Sequence, residues 1–145
     1  MALLSLVIAL SALGYNSWRN EKIEDQRNIR SAAFRVLETL GELREIVDER
    51  YYYLPFRQDM NMESSLRLRG YGRAALTRDL MLLMPSPAPA SGQKLHASWV
   101  EHFNRLNELD KKGSHSEQAK AAEQAIGTVL EESRQVVLQV IRELD

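Results

Sequence analysis

The chain has no cysteine, which excludes disulfides, thiol catalysis and cysteine-based metal sites. Proline occurs only at Pro55, Pro85, Pro87 and Pro89, so long stretches are free of this helix breaker. No segment alternates apolar and polar residues convincingly at period two, so no sheet is expected. Blocks of like charge are also missing. Arg19 to Arg50 carries seven bases and eight acids, Leu54 to Met84 five and three, and Lys94 to Asp145 seven and nine. With a formal net charge of −1, the chain has no global attraction to nucleic acid or anionic lipid, and no nucleic-acid partner is expected. There is no internal repeat.

Recognisable catalytic spacing is missing too. The histidines are His96, His102 and His115, and a diiron bundle would need Glu three residues before them. Those positions hold Gln93, Trp99 and Lys112. Zincin and zinc-finger spacings do not occur. No catalytic, cofactor-binding or metal-ligating residue is assigned, and the chain is read as a non-enzyme.

What is present begins at the N-terminus. Residues 1 to 14 are uncharged and mostly apolar, and they run into Tyr15 and Trp18 before Arg19. Rings with one apolar and one wet end suit the headgroup level of a bilayer, so Tyr15, Trp18 and Arg19 are read as membrane-interface residues. Residues 1–18 are therefore expected to form a single-pass transmembrane anchor. The span is short: Ala2 to Trp18 would cover about 25 Å as helix, against roughly 30 Å of hydrocarbon. Two other readings stand beside it. Ala9-Leu10-Ser11 and Ala12-Leu13-Gly14 are small-x-small sites of a cleaved signal peptide, although no Lys or Arg precedes the apolar run. A short apolar run can also be a buried helix of a soluble domain or subunit interface. Ala2, Ser5, Ala9 and Ala12 share one helical face and form an expected packing surface, because small side chains let helices in lipid approach closely. Arg19, Lys22, Arg27 and Arg30 follow the apolar run, which favours a cytoplasmic body by the positive-inside rule.

The body, 19–145, reads as four helices over roughly 19–53, 66–84, 91–112 and 115–144. In the first, Ile29, Ala33, Val36, Leu37, Leu40, Leu43, Ile46 and Val47 recur at helical spacing, with Glu38, Glu42, Glu45 and Glu49 as a solvated ridge. Pro55 predicts its end near Tyr53. Residues 51–65, rich in rings and thioethers, form an expected connection that packs a bundle end. Leu76, Leu80, Leu83 and Met84 are the expected inward set of the second helix, which Gly70 and Gly72 weaken by about 1 kcal/mol each relative to Ala. Pro85 to Pro89 is expected to be an extended linker. Leu95, Trp99, Phe103, Leu106 and Leu109 make the stripe of the third helix, and Ser114 with Glu117 reads as a capping box for the fourth. The last helix turns Ala119, Ala122, Ile126, Val129, Val136, Val137, Val140, Ile141 and Leu144 inward. The expected fold is all-α: an N-terminal transmembrane helix continuing into an antiparallel four-helix bundle.

One local bias remains. Arg67, Arg69, Arg73 and Arg78 surround Tyr71 between Gly70 and Gly72. Such a group can clamp an anion or headgroup, or hold acidic neighbours in ion pairs.

Residues 15 to 43, from Tyr15-Asn16-Ser17-Trp18-Arg19 through Leu40-Gly41-Glu42-Leu43, and the later Leu76-Thr77-Arg78-Asp79-Leu80, resemble a group of short uncharacterised proteobacterial proteins that begin with one hydrophobic helix. The resemblance implies a bacterial inner-membrane origin, and no activity is associated with the group, so no site residue follows from it. The expected role is a membrane-anchored accessory subunit or scaffold. Its partners would be membrane lipid and other membrane-protein subunits or itself. The alternative is a ligand- or anion-sensing bundle that signals through a partner.

Overall fold

The computed structural model describes residues 2–57 and 59–144, with side chains from Leu6 onward. Among them every regular element is helical, and the only extended pairing is an isolated bridge between Leu109 and His115. Helix α1 spans Ala2–Asp48 and passes into a π-helical turn, Glu49–Tyr53. Then follow a short α2 (Leu54–Arg57), α3 (Met60–Leu82), α4 (Ala88–His102) with a 3-10 turn Phe103–Arg105, and α5 (Glu117–Glu143).

Four long helices pack side by side. Glu42 pairs with Arg73 and Glu49 with Arg69, so α1 and α3 run in opposite directions. Gly70 lies against Trp99 and Gly92 against Met81, so α3 and α4 do too. Ser91 and Ser133 exchange a 3.0 Å hydrogen bond across α4 and α5, and Arg44 meets Glu123 across α1 and α5. Each helix thus has two neighbours around one core, which Trp99, Phe103, Leu43, Ile46, Leu66, Met81, Leu95 and Leu106 fill. The Trp99 and Phe103 rings stack at 4.8 Å.

Only the C-terminal half of α1 joins this core, from Ile29 onward. At ~1.5 Å per residue the 47-residue helix is about 70 Å long, and its first half stands clear of the bundle. Among the described residues no helix is long and apolar enough to cross a membrane. The expected transmembrane helix is corrected on this point. Its apolar run stops at Trp18, and the helix then carries Arg19, Glu21, Lys22, Glu24 and Asp25 without a break.

Several element boundaries differ from expectation. Pro55 does not end the first helical segment. The π turn runs directly into α2, with the Leu54 amide donating to Glu49 O, and Pro55 falls in the first turn of α2, where its missing N–H is not needed. The connection shrinks because α3 starts at Met60. Asp59 caps it, its carboxylate accepting from the amides of Asn61 and Met62 at 2.9 and 3.1 Å. Pro85 to Pro89 is no extended linker: the Ala88 amide donates to Pro85 O, and Pro89 sits in the first turn of α4. That helix ends at His102, ten residues short of the expected stop. The cap of α5 is Ser116, whose Oγ accepts from Ala119 N at 3.0 Å, and not Ser114. Ser114 instead donates its amide to Asp110 in the preceding turn.

Candidate functional site

Two regions carry the residues singled out above, and they lie apart on the molecule. The first is the free half of α1. Leu6, Val7, Ile8, Leu10 and Leu13 are 56–69% exposed and lie all round the helix. The Tyr15 and Trp18 rings lie 6.1 Å apart, and the Lys22 ammonium sits 5.4 Å from the Trp18 ring centre. This cation–aromatic contact marks the point where the apolar segment gives way to charge. Arg19 is exposed beside them, as are Ala9 and Ala12. The side chains of Ala2 and Ser5, the rest of the expected small-residue face, lie outside the described residues.

The second region is the arginine-bearing helix α3. Its arginines do not converge. Helical spacing turns Arg69 and Arg73 toward α1, where Arg73 Nε lies 2.8 Å from Glu42 and Arg69 Nη2 3.3 Å from Glu49. Arg67, Tyr71 and Arg78 point to the opposite side. Arg78 is tied to its neighbour Asp79 at 2.8 Å. Tyr71 packs edge-on against Phe103, with ring centres 5.6 Å apart. The acidic ridge of α1 is therefore partly an ion-pairing face, with Glu42 and Glu49 engaged.

The sequence reading missed Arg50, which is 2% exposed. It sits in the π turn, a local widening of the helix that often accompanies special side-chain placement. Its Nε donates to Phe103 O at 3.0 Å and its Nη2 to Asn107 Oδ1 at 3.0 Å. Glu63 lies 3.4 Å away, and the guanidinium rests 4.5 Å from the Phe103 ring centre. Burial lowers its pKa, and the nearby positive charge of Arg67 acts in the same direction. Arg50 thereby joins α1, α3 and the turn after α4. A signal for it existed: Arg50 stands four residues after Ile46 and three after Val47, in line with the core stripe. At the same end, His115 stacks on Tyr51 at 3.9 Å, and its Nε2 lies 2.6 Å from Tyr51 O, so that nitrogen carries the proton. Phe56 closes edge-on over His115, while Tyr52, Tyr53 and Met60 stay exposed.

Concavities lie on the surface between helices. One open groove of about 900 Å³ between α4 and α5 is lined by Pro87, Ala90, Ser91, Lys94, Thr128 and Val136, among others. A smaller one between α1 and α5 has Gly41 and Gly127 in its floor and Arg44 and Arg134 at its walls. Arg67, Arg69, Arg73 and Arg78 line neither. Among the described residues no group of His, Asp and Glu is arranged to hold a metal ion. No protein-family model matches the chain, and neither the curated proteins nor the solved structures contain a match.

Proposed function

We propose that the protein is a non-enzymatic helical scaffold or accessory subunit. It attaches to a membrane through the apolar end of α1 and acts through contacts between proteins. One observation carries the reading: a helix that is apolar on every side and exposed over residues 6–13 continues directly into a packed bundle. A helix apolar all round needs cover all round, which lipid or a ring of partner helices supplies. The apolar end of this helix embeds in the membrane, with Tyr15, Trp18 and Arg19 at the headgroup level. The bacterial inner membrane is the proposed location, with the body on its cytoplasmic side.

A ligand-sensing bundle is the weaker reading. A sensor needs a polar cavity between helices, whereas the centre of this bundle is occupied by Trp99, Phe103 and Leu43, and Arg69, Arg73 and Arg78 of α3 are engaged with acids.

Fractionation tests the proposal. The full-length chain should stay with membranes through high salt and alkaline carbonate, because apolar attachment is insensitive to screening. Release at unchanged length would overturn the attachment.

A further inference from the structure

The two longest uncharged stretches of the sequence are residues 1–18 and 80–93. The fold brings them to one end of the molecule. Helices α1 and α3 are antiparallel, so α3 finishes at the end of the bundle beyond which the free half of α1 projects. The second stretch covers the last residues of α3, the turn after it and the start of α4. Leu82 and Leu83 are 49% and 67% exposed there, and Pro85, Ser86 and Pro87 are exposed after them. Met84 and Ala88 are buried and hold the turn to the core. The charges that flank the stretch are paired, Arg78 with Asp79 and Lys94 with Glu132. The opposite end of the bundle is built differently. Its loop between α4 and α5 carries Arg105, Glu108, Asp110, Lys111 and Lys112, all exposed. Where Tyr52, Tyr53 and Phe56 are exposed at that end, Arg57 lies 5.8 Å from the Tyr53 ring centre.

We propose that the α3–α4 turn is a second membrane contact, in which Leu82 and Leu83 dip into the bilayer beside the end of α1. Lipid as the occupant rests on the membrane attachment proposed above, and the turn supplies a reason of its own. Hydrocarbon offers no hydrogen bonds, so backbone that enters it must already be satisfied. Pro85, Pro87 and Pro89 have no N–H to lose. The amides of Leu83, Met84, Ala88 and Ser91 donate to the carbonyl oxygens of Leu80, Met81, Pro85 and Pro87. No charge between 80 and 93 has to be desolvated. The contact also fixes how α1 enters. Continuing the register of Glu42 with Arg73 and Glu49 with Arg69 sets Leu83 beside residues 32–35 of α1. Trp18 lies about 20–25 Å further along that helix. Both reach one surface when α1 slants with its α3 side toward the bilayer. Arg142 and Glu143, at the end of α5, lie across the bundle from α3, away from the side that tilts down.

With no cysteine in the chain, a single introduced one can carry a fluorophore. The full-length chain is incorporated from mild detergent into vesicles of phosphatidylcholine and phosphatidylglycerol, with or without a nitroxide quencher at a shallow acyl position. Separate variants place the label at Leu83→Cys in the turn, at Ala9→Cys in the apolar end of α1, and at Leu68→Cys toward the other end of α3. Labels at positions 83 and 9 should lose most of their emission to the quencher, and the label at 68 little. Adding Leu82→Asp to the Leu83→Cys chain should restore most of that emission at unchanged helicity. The turn contact is overturned if the label at 83 is quenched no more than the one at 68, or if Leu82→Asp changes nothing. Quenching at 9 without quenching at 83 would remove the turn contact and leave the tether standing. Quenching at 83 without quenching at 9 would keep the turn contact and refute the tether.

Discussion

Helices α3 and α5 are similar in length and belong to the same bundle, yet they are built on opposite plans. In α5 the inward line is mostly large and apolar: Ile126, Val129, Leu130, Val137 and Val140 are buried, with Ser133 the one polar residue among them. In α3 the middle of the inner line, between Leu66 and Met81, holds Gly70, Ala74 and Thr77, and the leucines at 68, 82 and 83 are outside. The core compensates for the small inner line with one large side chain. A Cβ at Gly70 would lie 2.6 Å from Trp99 Cζ2, so the indole occupies the space that a side chain at this position would need. A helix can thus contribute to a core by withholding volume, and its bulky residues are then free for another surface.

The largest expected effect breaks the α5 side of this contrast. Val137 is fully buried, and Val137→Asp places an unpaired carboxylate in the core, which should cost about 4 kcal/mol or more. That is a large part of a typical domain stability of about 5–15 kcal/mol, so most of the helical circular dichroism should be lost. Leu68→Asp on α3 should leave helicity intact, because Leu68 is 78% exposed. Equal loss in both variants would show that the exposed leucines of α3 support the fold.

A smaller effect compares one glycine in each helix. Gly70→Ala gains about 1 kcal/mol of helix propensity but forces the buried indole of Trp99 to move, and overpacking of this kind costs about 1–3 kcal/mol. The net should be a lower urea midpoint. At Gly127 in α5 the added Cβ meets Arg44 Nη1 at 2.9 Å, the end of a flexible side chain that can swing aside. Gly127→Ala should therefore be neutral or stabilising. A rise in midpoint for Gly70→Ala would mean that Trp99 is not tightly held.

The same contrast explains what was legible in the sequence. For α5, every residue named as inward is buried or partly buried, because large apolar side chains at helical spacing have one way to hide. The expected all-α fold, with four helices packed together, stands for the same reason. For α3, apolar periodicity selected Leu76 and Leu83, which are exposed, since the middle of the true inner line, between Leu66 and Met81, is written in Gly, Ala and Thr. Such a line is visible only once its large partner, Trp99 on another helix, is known. Arg50 was missed by the opposite error: its spacing placed it in the core, but its charge argued against burial. The main-chain carbonyl of Phe103 and the amide of Asn107 that make burial tolerable lie more than fifty residues away. At the N-terminus, composition identified an apolar segment, but among the described residues no helix is long and apolar enough to cross a membrane.

The smallest expected effect concerns the seam between α1 and α3. Arg69→Gln and Arg73→Gln together remove two charges and keep much of the side-chain bulk. Both pairs are partly solvated: the arginine side chains are 48% and 34% exposed, and Glu49 and Glu42 are each 31% exposed. Pairs of this kind contribute about 0–1 kcal/mol each, and their contribution falls further with salt. The double variant should therefore unfold within about 2 kcal/mol of wild type in low salt, and the gap should narrow in 1 M NaCl, as measured by urea denaturation in detergent. Binding to vesicles containing anionic lipid should be unchanged, because these guanidiniums are engaged with α1 and are not presented to a headgroup. If vesicle binding instead dropped at unchanged helicity, the arginines of α3 would be anion contacts after all. The sensing bundle would then displace the scaffold as the better reading.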